Sequence, residues 1–235
     1  MKNLYTEAAS RRRSAVDSYT SLLLHMDGDD ESTTFTDSSP YIHTVTAYGT
    51  AQIDTAYSKF SGASGKFYTT NSRIEIPYHS GFVFGSGDFT IDFWAFAHYS
   101  VFHRGIYLSD QGGVKPGINI ITAANFAVVK FYASTDGVTY NIASSFDTGI
   151  ELTGLFTHIA VVRHGEDFLF FQNGTLTNSF TSAASIYDSG GSPLVIGGGT
   201  AANQMFYGWM DEFRISKGIA RWTSNFTPPI APYSS

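Results

Sequence analysis

The chain of 235 residues contains no cysteine and is poor in charged side chains. Without cysteine it can form neither disulfides nor metal sites built on thiolates. Charged residues make up only 14% of the sequence, which argues against helical bundles with solvated charged faces. No run of about 18 apolar residues occurs, so we predict no membrane-spanning helix. The polar stretch at residues 1–19 lacks the apolar core of a secretory signal.

The charge balance is mildly acidic. The chain has 14 Lys and Arg residues against 20 Asp and Glu residues, a net charge of -6. This balance provides no basic surface for nucleic acid, so we exclude nucleic acid as a partner. The lack of cysteine and of a signal fits a chain that is made in a reducing cytoplasm.

Aromatic residues, glycine and short alternating segments are abundant. Aromatic residues account for 16% of the chain, and there are 23 glycines. Strand-like segments recur roughly every 8–12 residues, the spacing typical of sandwiches and jelly rolls. The clearest are residues 88–96, the pair 126–133 and 138–143, and the pair 156–163 and 167–172. We predict an all-β fold, an antiparallel β-sandwich over residues 21–235, with at most one short helical turn near residues 217–221.

Residues 1–20 differ from the rest, because they contain no glycine and carry the basic cluster Arg11-Arg12-Arg13. Two interpretations stay open. The segment is a solvated tail, or it is an attachment arm that docks on an acidic neighbour. We treat residues 1–20 as a short N-terminal arm, separate from the sandwich.

Five segments carry a family resemblance, in the order LLLHMDG, FTIDFW, FTHIAVVRHGEDFLFFQNGTL, LVIGGG and FYGWMDEFRISKGIARW. The hairpin that contains His158 is the most diagnostic, although Phe156 stands where relatives commonly have tryptophan. Residues 21–230 resemble laminin-G-like domains, which have the concanavalin A-like jelly roll. The ending DEFRISKGIARWTSNFTPP is similar to laminin-G-like domains that are frequent in bacteriophage virion proteins.

Catalytic signatures are missing from the sequence. Hydrolases with the concanavalin A-like fold carry a Glu-x-Asp-x-x-Glu strand, which supplies the two carboxylates that glycoside hydrolysis needs. This chain has no such strand, no nucleophile elbow, no His-Glu-x-x-His and no phosphate-binding loop. We therefore expect a protein that is not an enzyme.

Two aspartates are the candidates for a metal site. Asp27 opens an acidic turn after the first strand and Asp211 lies in the last one, and these two strands are commonly neighbours in jelly rolls. Calcium binds carboxylates together with loop carbonyls, and the resemblance implies a structural calcium at the last-strand aspartate. We predict calcium as the cofactor, held by Asp27 and Asp211. The alternative is a solvated acidic turn, with Asp211 capping nearby backbone groups.

Glycan binding needs an aromatic platform beside hydrogen-bonding groups. We expect Trp94 and Trp209 to be mainly packing residues, and Trp222 to close the edge of the sandwich. The aromatic candidates for a glycan site are Tyr99, Phe102, Tyr107, Tyr187, Trp209 and Trp222.

The resemblance favours a non-enzymatic bacteriophage virion protein, either a capsid decoration or a component of a tail or fibre. Its location would be the virion, with synthesis in the host cytoplasm. Its partners would be other virion proteins, bound through the N-terminal arm, and a glycan of the host surface; a homo-oligomer is compatible with this role. The alternative is a soluble lectin-like carbohydrate-binding module.

Overall fold

The computed structural model describes residues 16–60, 62–69, 71–98, 107–108, 117–122, 128–199 and 206–234. These residues form fifteen β-strands and a single 3-10 turn, Ser80–Phe82. Within them, no helix has the length and apolar character needed to cross a membrane. The strands are β1 (Thr20–Leu24), β2 (Thr46–Tyr48), β3 (Gln52–Asp54), β4 (Ser64–Phe67), β5 (Arg73–Ile76), β6 (Phe89–Ala97), β7 (Tyr107–Leu108), β8 (Ile118–Thr122), β9 (Val128–Ala133), β10 (Ala143–Glu151), β11 (Thr157–His164), β12 (Asp167–Gln172), β13 (Thr175–Thr181), β14 (Leu194–Ile196) and β15 (Gly208–Lys217).

The strands form two antiparallel sheets. Sheet A has the order β13-β12-β11-β6-β15-β4-β3, and β1 also pairs with β15. Sheet B has the order β10-β9-β8-β7-β14-β5-β2. The prediction of an all-β antiparallel sandwich with the jelly-roll architecture is confirmed.

Strand β6 shows how the sequence pattern sets the orientation of side chains. Successive residues of a strand point to opposite faces, so Phe89, Ile91 and Phe93 point into the sandwich, where none of them is exposed. Trp94 and Phe96 point to the outer face of sheet A. Because β6 lies between β11 and β15, it is a central strand, as its apolar residues on both faces predict.

The core between the sheets is rich in phenylalanine. Phe131 of sheet B lies 5.2 Å from Phe170 and 5.8 Å from Phe168 of sheet A, measured between ring centroids. Phe93 stacks on Phe213 at 4.9 Å. All five rings are fully buried. Burial of apolar area at about 25 cal/mol per Å² is therefore the main source of stability in a chain without disulfides.

Two local predictions are wrong. Residues 138–143 were expected to form the second strand of a hairpin, but that strand is β10, which begins only at Ala143. The Asp136 carboxylate accepts hydrogen bonds from the backbone N–H groups of Val138 and Thr139, at 2.8 Å each. These bonds form a turn from residues that the pattern had assigned to the strand. The short helical turn expected near residues 217–221 does not form, since Lys217 still belongs to β15 and Gly218, with φ of 82°, ends that strand in a conformation outside the helical region.

The outer face of sheet A is partly covered. Residues 218–234, the C-terminal segment, lie over one end of it, where Trp222 stacks on Phe226 at 4.0 Å and packs against the sheet. Asp17 pairs with Arg221 of this segment at 2.9 Å. The loop of residues 55–60 lies over the middle of the face. The basic cluster at residues 11–13, which the arm prediction concerns, lies outside the described residues.

Candidate functional site

The structure brings Asp27 and Asp211 to the same place. Strand β1 pairs with β15, and the Asp27 carboxylate lies close enough to Asp211 to raise its pKa. Asp211 Oδ2 accepts the backbone N–H groups of Lys59 at 2.7 Å and Phe60 at 3.3 Å. Asp27 Oδ1 lies only 2.9 Å from the position that a Cβ on Gly62 would occupy. Asp211 therefore helps to hold the 55–60 loop.

The environment of Asp211 disfavours a negative charge. The pKa of Asp211 is raised to about 7, mainly by burial and in part by the nearby carboxylates of Glu212 and Asp27, against the opposing effect of the two backbone N–H groups. Glu212 accepts a hydrogen bond from His25 at 2.8 Å, and this bond raises the pKa of His25. An additional positive charge beside Asp211 would be electrostatically favourable.

The side chains of this region meet only part of what calcium requires. Among the described residues, no group of three or more His, Asp or Glu side chains is arranged to hold a metal ion. Glu212 is engaged by His25 and by the backbone N–H of Tyr233 at 2.8 Å. Asp27 and Asp211 would thus need backbone carbonyls and water as further ligands. Calcium stays a prediction, and its test is given in the Discussion.

A row of six aromatic side chains lies on the uncovered part of the outer face of sheet A. Trp209 of β15 and Phe96 of β6 are cross-strand partners and lie at its centre, 5.4 Å apart. The neighbouring centroids along the row are separated by 4.0, 5.6, 4.3, 5.5 and 5.7 Å. We call this set the aromatic row; in order, its members are Tyr207, Tyr68, Trp209, Tyr57, Phe96 and Phe156.

The aromatic row contains one buried ring and five rings that are accessible to solvent. Trp209 is only 3% exposed, whereas Tyr57 is 44% exposed and the other four members are half-buried. The charged pair Lys66 and Asp54 lies beside the row, with a nitrogen-to-oxygen distance of 2.5 Å. Lys66 Nζ is 5.9 Å from the centroid of Trp209. The surface thus offers apolar faces with polar groups at their margin.

A cleft of about 540 Å³ continues from the end of the row. Phe156 belongs to both the row and the cleft, and Trp94 lies between the loop and the C-terminal segment. The described residues that line the cleft are Lys59, Phe60, Trp94, Phe156, Asn173, Thr227, Pro228, Pro229 and Ile230.

The aromatic candidates from the sequence fall in different places. Trp209 lies in the row but is almost fully buried, and Trp94 is 4% exposed, so both pack as expected. Trp222 packs on the outer face of sheet A. Tyr187 lies on the rim of a separate small cavity. Tyr99 and Phe102 lie outside the described residues, as does the side chain of Tyr107.

Five of the six members of the row were not anticipated as site residues: Tyr57, Tyr68, Phe96, Phe156 and Tyr207. One feature of the sequence could have revealed the row: Phe96 in β6 and Trp209 in β15 both point to the outer face. Outward-facing aromatic residues on neighbouring strands lie side by side on the surface of the sheet.

The fold and this surface define a lectin-like β-sandwich. The family model described as the concanavalin A-like lectin/glucanases superfamily, of the laminin G type, matches residues 68–221. The chain therefore belongs to this family. No curated protein matches the sequence.

Solved structures with the same fold include three binding or accessory domains. The binding domain of Paraclostridial Mosquitocidal Protein 1 has a TM-score of 0.64 and 15% identity, over 86% of this chain and 49% of that one. The receptor binding domain of botulinum neurotoxin D has a TM-score of 0.59 and 16% identity, over 86% and 50%. Domain 4 of AbnA, a GH43 extracellular arabinanase from Geobacillus stearothermophilus solved with arabinotriose, has a TM-score of 0.60 and 19% identity, over 86% and 93%. The chain spans about half the length of the two toxin domains.

Proposed function

We propose that this chain is a non-catalytic glycan-binding domain that holds a saccharide on the aromatic row. The observation that carries the proposal is the continuous set of six rings, of which five are accessible to solvent. A sugar ring has an apolar face of C–H groups and a rim of hydroxyls. An aromatic surface with a few polar groups beside it matches both features.

The polar groups near the row suit binding better than hydrolysis. Glycoside hydrolysis needs two carboxyl groups on either side of the scissile bond. Asp54 lies beside the row, and it is paired with Lys66. Asp92, on the same face, is fully buried and paired with Arg214 at 2.9 Å. Similar folds in toxin binding domains and in an arabinanase domain solved with arabinotriose support the proposal by analogy.

Replacement of Tyr57 by alanine is expected to weaken glycan binding at least about tenfold, equivalent to about 1.4 kcal/mol. Tyr57 is the most exposed ring of the row, and its loss removes one stacking face at the centre. Binding of the purified domain to a panel of oligosaccharides, measured by calorimetry, checks this expectation.

Tyr48→Ala is the matched control, because Tyr48 is a 40% exposed tyrosine on β2 of the other sheet. It should bind as the unaltered domain does. Equal weakening by the two substitutions, or a panel without any bound saccharide, would contradict the proposal.

We further propose that the domain is displayed on a bacteriophage particle. The similarity of residues 211–229 to virion domains and the basic cluster at residues 11–13 support this location. The N-terminal arm would bind an acidic neighbour in the particle through charge-assisted hydrogen bonds. A soluble lectin with the same aromatic row is the alternative.

Deletion of residues 1–15 is expected to abolish incorporation into particles while leaving the fold intact. The deletion retains Asp17, whose ion pair with Arg221 ties the start of the sandwich to the C-terminal segment. Mass spectrometry of purified particles measures incorporation, and thermal unfolding of the free protein serves as the control for folding. Normal incorporation of the shortened chain would place attachment elsewhere.

A further inference from the structure

We propose that the cleft beside the aromatic row binds an anionic unit of the saccharide, a carboxylate or a sulfate, through Lys59. The inference rests on the proposed glycan-binding function and adds the class of ligand. It starts from the unusual surroundings of the Lys59 ammonium group.

Within the part of the chain that the structure describes, Lys59 is the one lysine or arginine whose side chain has no carboxylate or carbonyl partner. Its Nζ lies 3.9 Å from the centroid of the Trp94 ring and 5.9 Å from that of Phe60. The other described basic side chains are paired with a carboxylate or bonded to a backbone carbonyl: Lys66, Arg73, Lys130, Arg163, Arg214, Lys217 and Arg221. The Lys59 ammonium is therefore available for an anion from outside the chain.

The position of Lys59 is held from two sides. Its backbone N–H donates to Asp211 Oδ2 at 2.7 Å, and its ammonium group rests on the face of Trp94. Trp94 is only 4% exposed and so forms a rigid support. A side chain that is already ordered loses less conformational entropy when it binds a ligand.

The other polar groups of the cleft are suited to an anion as well. Asn173 Oδ1 accepts the backbone N–H of His158 at 2.9 Å, and this bond leaves the amide NH2 group of Asn173 as a donor. Thr227 adds a hydroxyl. None of the described lining residues is Asp or Glu, although the whole chain has 20 acidic and 14 basic residues. The Lys59 ammonium group and these neutral donors can form hydrogen bonds with an anionic group, and the bond to the ammonium group would be charge-assisted.

The cleft and the row are continuous at Phe156, which belongs to both. One saccharide can therefore place a neutral unit on the row and an acidic unit in the cleft. The arrangement predicts selectivity within the glycans that bind, rather than binding of every polyanion.

The test is an array of oligosaccharides, each present in an acidic form and a neutralised form. Uronic acids are paired with their methyl esters, and sulfated sugars with desulfated ones, so the array distinguishes the two sources of charge. For glycans that bind, the acidic form is expected to bind about tenfold more tightly. Lys59→Gln should remove this preference, so that the acidic and neutral forms bind with similar affinity, whereas Lys59→Arg should retain it.

Lys130→Gln is the control, because Lys130 lies in sheet B and pairs with the exposed Asp147. It should keep the preference, and poly-glutamate should not bind. Equal binding of the acidic and neutral forms, or a preference that persists in Lys59→Gln, would overturn this inference and leave the proposed function standing. Binding of poly-glutamate with the same affinity would show adventitious polyanion binding and overturn it too. An array without any bound glycan would overturn both.

Discussion

Replacement of Asp92 by alanine is expected to lower the free energy of unfolding by about 3–5 kcal/mol, the usual effect of breaking a buried ion pair. Asp92 lies on β6 and is fully buried beneath the C-terminal segment. Its two carboxylate oxygens accept hydrogen bonds from Arg214, at 3.0 Å from Nε and 2.9 Å from Nη2. Without Asp92, the guanidinium group would stay largely buried with no counter-charge.

The same carboxylate also fixes the C-terminal segment. The hydroxyl of Tyr233 hydrogen-bonds to Asp92, the ring of Tyr233 lies 3.8 Å from the guanidinium carbon of Arg214, and its backbone N–H donates to Glu212. Loss of Asp92 is thus expected to loosen residues 228–234, of which Pro228, Pro229 and Ile230 line the cleft. Faster hydrogen exchange in this segment would accompany the lower stability.

The pH dependence follows from the charge state of Asp92. Burial raises the pKa of this carboxyl, but the charge of Arg214 and the hydrogen bonds to the ionised form outweigh burial and hold the pKa well below its ordinary value. A depressed folded-state pKa contributes stability above the unfolded-state pKa, which is about 3.9, and loses it as the pH falls toward the folded-state pKa. The difference between the wild type and Asp92→Ala should therefore be constant at neutral pH and shrink only in acid.

Urea denaturation at pH 7 measures the effect, and Asp147→Ala is the control. Asp147 forms an ion pair with Lys130 at 2.9 Å, but its side chain is 59% exposed. Exposed pairs contribute less than about 1 kcal/mol. If Asp92→Ala and Asp147→Ala lower the free energy of unfolding by the same amount, the buried ion pair of Asp92 does not stabilise the fold more than an exposed one.

The fold was predictable wherever local sequence determines local structure. Residues 88–96 alternate along the whole of β6, and a short polar turn at Gly165 joins β11 to β12, so strand and hairpin could be recognised without distant contacts. The turn at Asp136 shows the limit. Its side chain bonds two backbone N–H groups that the alternating pattern had assigned to a strand.

The surface that we propose as functional could be predicted less well. Asp27 and Asp211 were expected to meet because first and last strands are often neighbours; β1 does pair with β15, and Asp27 is close enough to Asp211 to raise its pKa, but a shared metal stays a prediction. The aromatic row draws on residues from the 55–60 loop, from β6 and β15, and from positions next to β4 and β11. Its assembly depends on strand register, which the sequence alone does not determine. The ammonium of Lys59 stands out only when the partners of the other lysines and arginines in the described part of the chain are known.

Asp211→Asn is expected to stabilise the protein at pH 8 by about 2–4 kcal/mol when a chelator is present. The pKa of Asp211 is about 7 in the folded protein, raised mainly by burial from an ordinary value of 3.8. A raised pKa of an acid means that the folded state holds its proton more tightly than the unfolded state. The wild type therefore loses stability as the pH rises from about 4 to about 7.

Asparagine has nearly the same shape as aspartate, and its side-chain oxygen can accept the N–H groups of Lys59 and Phe60 without carrying a charge. Thermal and urea unfolding of both proteins between pH 4 and pH 8 should give nearly equal stability at pH 4 and a growing advantage of Asp211→Asn above it. Parallel curves across this range would show that Asp211 ionises without a penalty.

Calcium is expected to offset most of this advantage of Asp211→Asn. If Asp27 and Asp211 hold the ion, calcium at about 100 times its dissociation constant stabilises the wild type by about 2.7 kcal/mol. Asp211→Asn and Asp27→Asn should both lose the response, whereas Asp29→Asn, in the same exposed turn, should keep it. A wild type whose unfolding is unaffected by calcium would reject the metal site. Asp211 would then remain a buried carboxyl that holds the 55–60 loop through its backbone N–H groups, at an electrostatic cost that grows with pH.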